Sequence, residues 1–271
     1  MLRRFITLLL IFIGQILLAQ QITCSPKDKA AVENKLLEID GMYQDNFGET
    51  MVNVGKTFMK TPYVAKTLEI GDTETLVVNL QGLDCTTFVE NVLAFSKLLR
   101  KEDDSFEAFV KNLEVVRYKD GELDGYASRL HYFSEWIANN AEKGLLKDIT
   151  GEIGGAEITK DINFMSTHRD LYPFLSDDVN YGKIKASENY LNSQAICVLA
   201  QDKIAENEHL IQSGDIIALA TSIIGLDVTH TGIATREKDG RIHLLHASTG
   251  SMEVEVSKLP LADYLKGIKS N

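Results

Sequence analysis

The spacing of apolar residues changes once along this 271-residue chain, and that change limits what it can build. Residues 85–100 carry Phe88, Val89, Val92, Phe95 and Leu99 on one stripe, with no Gly or Pro among them, as an amphipathic helix requires. Residues 28–47, with Ala31, Val32, Leu36, Leu37, Ile39 and Met42, repeat the helical spacing, and so do 104–117 and 129–143. The last third switches to strand-length runs at 215–220, 230–235 and 241–247, the last two joined around Lys238-Asp239-Gly240. No repeat, linker or low-complexity tract separates the two regimes. The expectation is an α+β chain with helices packed on an antiparallel sheet.

The N-terminus reads as an export signal. Met1-Leu2-Arg3-Arg4 is basic, and residues 5–18 are apolar apart from Thr7, Gly14 and Gln15. That is shorter than the ~20 residues a spanning helix needs. Ala19 before Gln20 and Gln21 suits cleavage, so 1–19 is expected to leave and 20–271 to form one domain in an exported, periplasmic protein. A lipid anchor on Cys24 is the weaker reading, because Gln21-Ile22-Thr23 lacks the residues usual before a lipidated cysteine. Three cysteines, Cys24, Cys85 and Cys197, are too few for a disulfide scaffold, and a Cys24–Cys197 pair has little support. With 28 Lys and Arg against 39 Asp and Glu, the formal net charge is -11. Such a chain suits neither nucleic acid phosphates nor an anionic membrane surface.

One cysteine stands where chemistry would want it. Asp84 is a good N-cap for the 85–100 helix, which puts Cys85 in the first turn. Unpaired N–H groups and the helix dipole there favour a thiolate, the nucleophilic form, and can also hold a developing oxyanion. The bland alternative is a small buried hydrophobe on the Phe88 and Val92 stripe. His230, on the strand 230–235, supplies a base. A third polar group should orient its imidazole. His243 and His246 compete for that role, and strand register decides between them. A two-residue Asp239-Gly240 turn puts His243 on the face of His230. A three-residue Lys238-Asp239-Gly240 loop puts His246 there, opposite Gly232 and roughly 7–8 Å away across the ladder. Local turn chemistry favours the first, and the strand end at His246-Ala247-Ser248 before Thr249-Gly250 favours the second.

The order Thr61-Pro62-Tyr63-Val64, Asp84-Cys85, Gly214-Asp215-Ile216, His230-Thr231-Gly232-Ile233, His246-Ala247-Ser248 resembles the NlpC-type cell-wall cysteine peptidases, compact papain-like enzymes. Asp84-Cys85-Thr86-Thr87-Phe88-Val89-Glu90, together with Arg129-Leu130-His131-Tyr132-Phe133, is similar to their N-acetylmuramoyl-L-alanine amidase-like subgroup. The resemblance covers nearly all of the chain after the signal. It implies a papain-like fold with Cys85 as nucleophile, His230 as base and His246 as the orienting residue. It also implies that the Tyr63 hydroxyl assists the Cys85 N–H in the oxyanion hole. Residues 101–200 then resemble a helical insertion that shapes the substrate site. The implied reaction is cofactor-free and metal-free cleavage, by a monomer, of the amide between N-acetylmuramic acid (or its anhydro form) and L-Ala in muropeptides. A γ-D-glutamyl endopeptidase and a catalytically inactive wall-binding module are the alternatives. Tyr126, Ser128, Arg129, His131 and Tyr132 cluster within seven residues as expected substrate contacts, Arg129 through a carboxylate. Ser166, in a polar stretch with His168 and Arg169, could line the cleft, although the latter two read better as surface. Trp136 reads as core.

Overall fold

The computed structural model describes residues 22–101 and 104–268, so the expected signal at 1–19 lies outside the described residues. Four strands, β5 (Ile216–Ala220), β6 (Val228–Arg236), β7 (Ile242–Ser248) and β8 (Glu253–Val256), form an antiparallel meander in sequence order. Two smaller pairings flank it. β1 (Ile22–Cys24) runs parallel to β2 (Leu76–Val78), and β3 (Ala156–Ile158) lies antiparallel to β4 (Ile196–Val198). The helices are α1 (Pro26–Ile39), α2 (Phe47–Lys56), α3 (Cys85–Lys101), α4 (Phe106–Arg117), α5 (Phe133–Glu142), α6 (Asp178–Asn192) and α7 (Leu261–Lys266), with short helical turns between them.

The α3 stripe is the centre of the main core. Phe88, Val89, Val92 and Phe95 are buried; Phe58 meets Phe88 edge-on, and Phe95 stacks on Phe109 of α4 with centroids 4.1 Å apart. Ile233, Leu245 and Ala247 face this cluster from the sheet. The alternate positions Ala234, Ile242 and Leu244 face a second cluster with Leu261, Ala262 and Leu265 of α7. The sheet is thus covered on both faces, and β7 is buried along its whole length. A third cluster joins Tyr126, Tyr132, Ile162, Met165, Phe174, Ile184 and Leu191. Within 101–200, Phe109, Leu113, Val116 and Trp136 belong to the main core, while the segment from 160 to 192 builds mostly on the third cluster.

Two helix expectations need correction. The 28–47 run is not one helix: α1 stops at Ile39, Leu37 is 78% exposed, and α2 begins only after the Asn46 cap. The helix expected from 129 starts at 133, because residues 126–128 form a tight turn and Arg129 is extended.

Candidate active site

The cap expected at Asp84 is present and reciprocal. Asp84 Oδ1 accepts from the Thr87 amide and hydroxyl, both at 2.8 Å, and the Asp84 N–H donates to the Thr87 oxygen at 2.9 Å. This cap does not engage the N–H of Cys85, which stays available at the helix start. The half-buried Cys85 thiol accepts from the backbone N–H groups of Thr86 and of Thr231, the residue after His230. The start of α3 and the strand that carries His230 therefore meet at this point.

The expected lowering of the Cys85 pKa is not what the surroundings produce. Burial pushes the thiol up to about 11 and the Asp84 carboxylate adds to that, while the Thr231 N–H and the hydroxyl and N–H of Thr86 pull it back only in part. Desolvation outweighs the helix end, and Cys85 at rest is a neutral thiol.

Tyr63 is clamped beside it. Its N–H donates to the Met252 carbonyl, and Val64 and Leu83 tie the same segment to the run leading into Cys85. Burial, with Cys85 and Asp84 nearby, pushes the Tyr63 phenol up to about 12, so it stays a donor.

The register question resolves in favour of the three-residue loop. Arg236 pairs with Ile242, Thr235 with His243 and Ile233 with Leu245, and the Glu237 N–H donates to the Arg241 carbonyl. Gly240 takes the left-handed conformation, φ +79°, that such a loop requires. His246 then stands across from Gly232, where a β-carbon would lie 2.9 Å from its Cβ. His230 Nε2 and His246 Nδ1 share a hydrogen bond of 2.5 Å. His243 is on the other face, bonded to the Ser257 carbonyl and to Asp239. Burial holds His230 and His246 down to about 4, the neighbouring imidazole adding to the effect at His230, so both are neutral at rest. With Nε2 engaged, Nδ1 of His230 is the nitrogen left to take a proton.

Most of the expected substrate contacts are occupied within the protein. Arg129 is buried, its Nε 2.9 Å from Glu74 and its Nη2 3.2 Å from Glu69, so its carboxylate partners are internal. Tyr126 donates to Glu69 and stacks on Phe174. Tyr132 donates to Glu188. His131 donates to the Tyr126 carbonyl and is held well below its ordinary pKa by burial and by Arg129. Ser128 closes a turn through Asp124 and Gly125 and is not a helix cap. Tyr126 and Tyr132 are part of the third cluster, and their hydrogen bonds tie it to Glu69 and Glu188. Ser166 donates its N–H to the same Glu188 oxygen at 2.9 Å and lines a polar pocket of about 340 Å³ with Asn163, Tyr181, Lys185, Glu188 and Asn189. His168 and Arg169 are tied into their own loop, and Trp136 is fully buried, as expected.

Sequence reasoning missed two side chains on the His246 face. Glu255 is its cross-strand partner, and the Tyr264 ring from α7 stands edge-to-face with it, centroids 5.5 Å apart. Neither sits in a motif, and only the register and the packing of α7 reveal them. Among the described residues, no three His, Cys, Asp or Glu side chains gather where they could hold a metal ion, and the three cysteines are free thiols.

Fold and site together define an α+β protein with a thiol at a capped helix start and a coupled histidine pair on the adjoining hairpin. Residues 53–270 match the model of the N-acetylmuramoyl-L-alanine amidase-like family, and the chain belongs to that family. A solved N-acetylmuramoyl-L-alanine amidase from Bacteroides uniformis is 40% identical, with TM-score 0.77 over 83% of this chain and 94% of that one. A Bacteroides fragilis protein provisionally named a xylanase is 42% identical, with TM-score 0.75 over 80% of this chain and 94% of that one. A Legionella pneumophila protein at 21% identity, with TM-score 0.65 over 89% of each chain, shares the fold. No curated protein matches.

Proposed function

We propose that this chain is a cysteine-dependent amidase of peptidoglycan fragments, of papain-like NlpC type, cutting between N-acetylmuramic acid, in normal or anhydro form, and L-Ala. The observation that carries the reading is the Cys85 thiol lodged against the N–H of Thr231 while His230, one residue earlier, is held by His246 at 2.5 Å. The family description and the Bacteroides uniformis amidase support the choice of bond. A glycosidase of the usual kind would need two carboxylates flanking the bond; a thiol beside an imidazole suits acyl transfer. Export of the mature chain, after loss of 1–19, goes with this reading.

The neutral resting site sets the order of events. As Cys85 Sγ attacks the lactyl carbonyl, its proton passes to His230 Nδ1. The oxyanion is held by the Cys85 N–H and the Tyr63 hydroxyl. The His230 imidazolium, stabilised by His246, then protonates the departing L-Ala amine. Water, deprotonated by His230, hydrolyses the thioester and releases the sugar acid.

Defined muropeptides incubated with the protein and resolved by mass spectrometry test this. Free muramic acid and an intact stem peptide are expected, with no turnover by Cys85→Ala although it melts like the parent. Cleavage of sugar-free peptides to L-Ala-D-Glu at matching rates would instead identify an endopeptidase, and full activity in Cys85→Ala would refute the mechanism.

A further inference from the structure

We propose that the polar pocket beside α6 receives the charged end of a diaminopimelate-type residue at the third position of the stem peptide, its ammonium on Glu188 and its carboxylate on Lys185. This rests on the reading of the chain as an amidase of muropeptides. α6 turns Ile184 and Leu191 into the third cluster. Tyr181, Lys185, Glu188, Asn189 and Asn192 follow at helical spacing on an adjoining stripe and line the pocket, with Ser166 across from them. The polar stripe of such a helix ordinarily lies in solvent. Glu188 does not: it is 2% exposed.

A buried carboxylate needs partners on both oxygens and a cation for its charge. Glu188 has only part of this. Its Oε1 accepts from the Tyr132 hydroxyl at 2.7 Å and from the Ser166 N–H at 2.9 Å. The Tyr132 oxygen accepts in turn from the Met165 N–H, so the carboxylate is fixed in one orientation. Its Oε2 takes no partner among the described residues and opens on the pocket that Glu188 lines. The obvious cation is Lys185, one turn back on α6. Lys35, Lys111, Lys203 and Lys266 each close on an acid three positions away, at 2.6–3.1 Å. Lys185 has the same spacing from Glu188, stays exposed and makes no ion pair among the described residues. The pocket thus presents an uncompensated carboxylate and a separate ammonium, the complement of the ammonium and carboxylate of an amino acid. Its volume of about 340 Å³ suits the end of one side chain. A lysine in the stem would offer only the ammonium, whereas diaminopimelate offers both groups. The pocket also lies within reach of the base. The Gly225 carbonyl accepts from the Asn163 and Phe164 N–H groups at 3.0 and 2.9 Å. Gly225 stands five positions before His230, at most about 17 Å of extended chain. Three extended stem residues cover about 10 Å, and a γ-linkage with a long third side chain adds to that.

The test is calorimetric titration of the mature Cys85→Ala protein with three muropeptides. Their stems end at D-Glu, continue to lysine, or continue to meso-diaminopimelate. The diaminopimelate form is expected to bind tightest, the lysine form about threefold weaker and the form ending at D-Glu about tenfold weaker or more. Adding Glu188→Gln keeps an acceptor for Tyr132 and Ser166 but turns an amide NH2 toward the ammonium, so the gain from the third residue should vanish. Adding Lys185→Met, on an exposed side chain, should remove only the preference for diaminopimelate over lysine. Equal affinity for the three muropeptides, or no binding of any, overturns the inference. So does either variant that melts like Cys85→Ala and keeps its preferences. If Glu188→Gln fails to fold, Lys185→Met decides alone. Cleavage is read separately with Cys85 in place. Muropeptides bound with the expected preferences yet left uncut would sink the proposed function and leave the assignment of the pocket standing.

Discussion

Adding one methyl group opposite His246, as Gly232→Ala, should disable the site without touching a reacting atom. The new Cβ would lie 2.8 Å from Leu244 Cδ1, 2.9 Å from His246 Cβ and 2.9 Å from the Leu245 carbonyl oxygen. Ordinary contact is about 3.5–4.0 Å, so each neighbour must retreat by roughly 0.6–1 Å. The leucine methyl can rotate aside. The Leu245 carbonyl and the His246 Cβ can retreat only if β6 and β7 part. Overpacking of this kind costs about 1–3 kcal/mol. For a chain of this length that corresponds to a fall in Tm of about 2–12 °C. The same retreat pulls His246 from His230, whose bond has no slack at 2.5 Å. Misplacement near 1 Å can cost ~100-fold in rate, so kcat on a defined muropeptide should drop about 10- to 100-fold with KM little changed. Stopped time courses by mass spectrometry, with a thermal melt on the same sample, measure both. Parental kcat and parental Tm together would refute the reasoning, because the strands would then have room that the structure denies them.

His246→Ala should reduce kcat at least tenfold more than His243→Ala, compared side by side on one muropeptide, because only His246 bonds the base. The acid limb of kcat/KM should fall near pH 4 rather than at the ordinary histidine value near 6.5, since His230 stays neutral down to about 4. For stability the same lowered values have a definite sign: as pH falls from 6.5 toward 4 the unfolded chain takes up protons that the buried pair refuses, so melts across that window should show Tm declining. Arg129→Ala should act on the fold first, losing about 2–4 kcal/mol in denaturant titration by stranding the buried Glu74, while kcat of the folded fraction changes less than threefold. Arg117→Leu should cost about 3–5 kcal/mol in the same titration, since it strands Glu90, which Arg117 meets at 2.7 Å with both side chains 2% exposed.

What the sequence made legible was local. The α3 stripe and its Asp84 cap act within a few residues, and from them follows the place of Cys85; the Lys238-Asp239-Gly240 loop left His243 and His246 in competition, and only the strand register decides for His246. What it hid was long-range. Arg129 reads as a free guanidinium until Glu69 and Glu74, more than fifty residues earlier in the chain, close on it. Leu37 is apolar and still faces solvent, because the buried face of α1 runs through Val32, Leu36 and Ile39 and Leu37 lies off it. The thiol was misjudged for the same reason. The helix start is visible in sequence, but the burial that outweighs it is set by the folded packing around Cys85, which no local pattern shows.

His230 and His246 lie on one hairpin, sixteen residues apart, whereas Cys85 lies on a helix 145 positions before His230. Half of the machinery is therefore assembled by a single turn, and the other half arrives only when α3 docks against β6. A nascent or unfolded chain carries an ordinary thiol and two ordinary imidazoles with no means of cooperating. On the proposed mechanism, hydrolysis requires the contact between α3 and β6 and is lost when that contact opens. Any stress that loosens α3 from the hairpin would silence the enzyme before it melts the sheet.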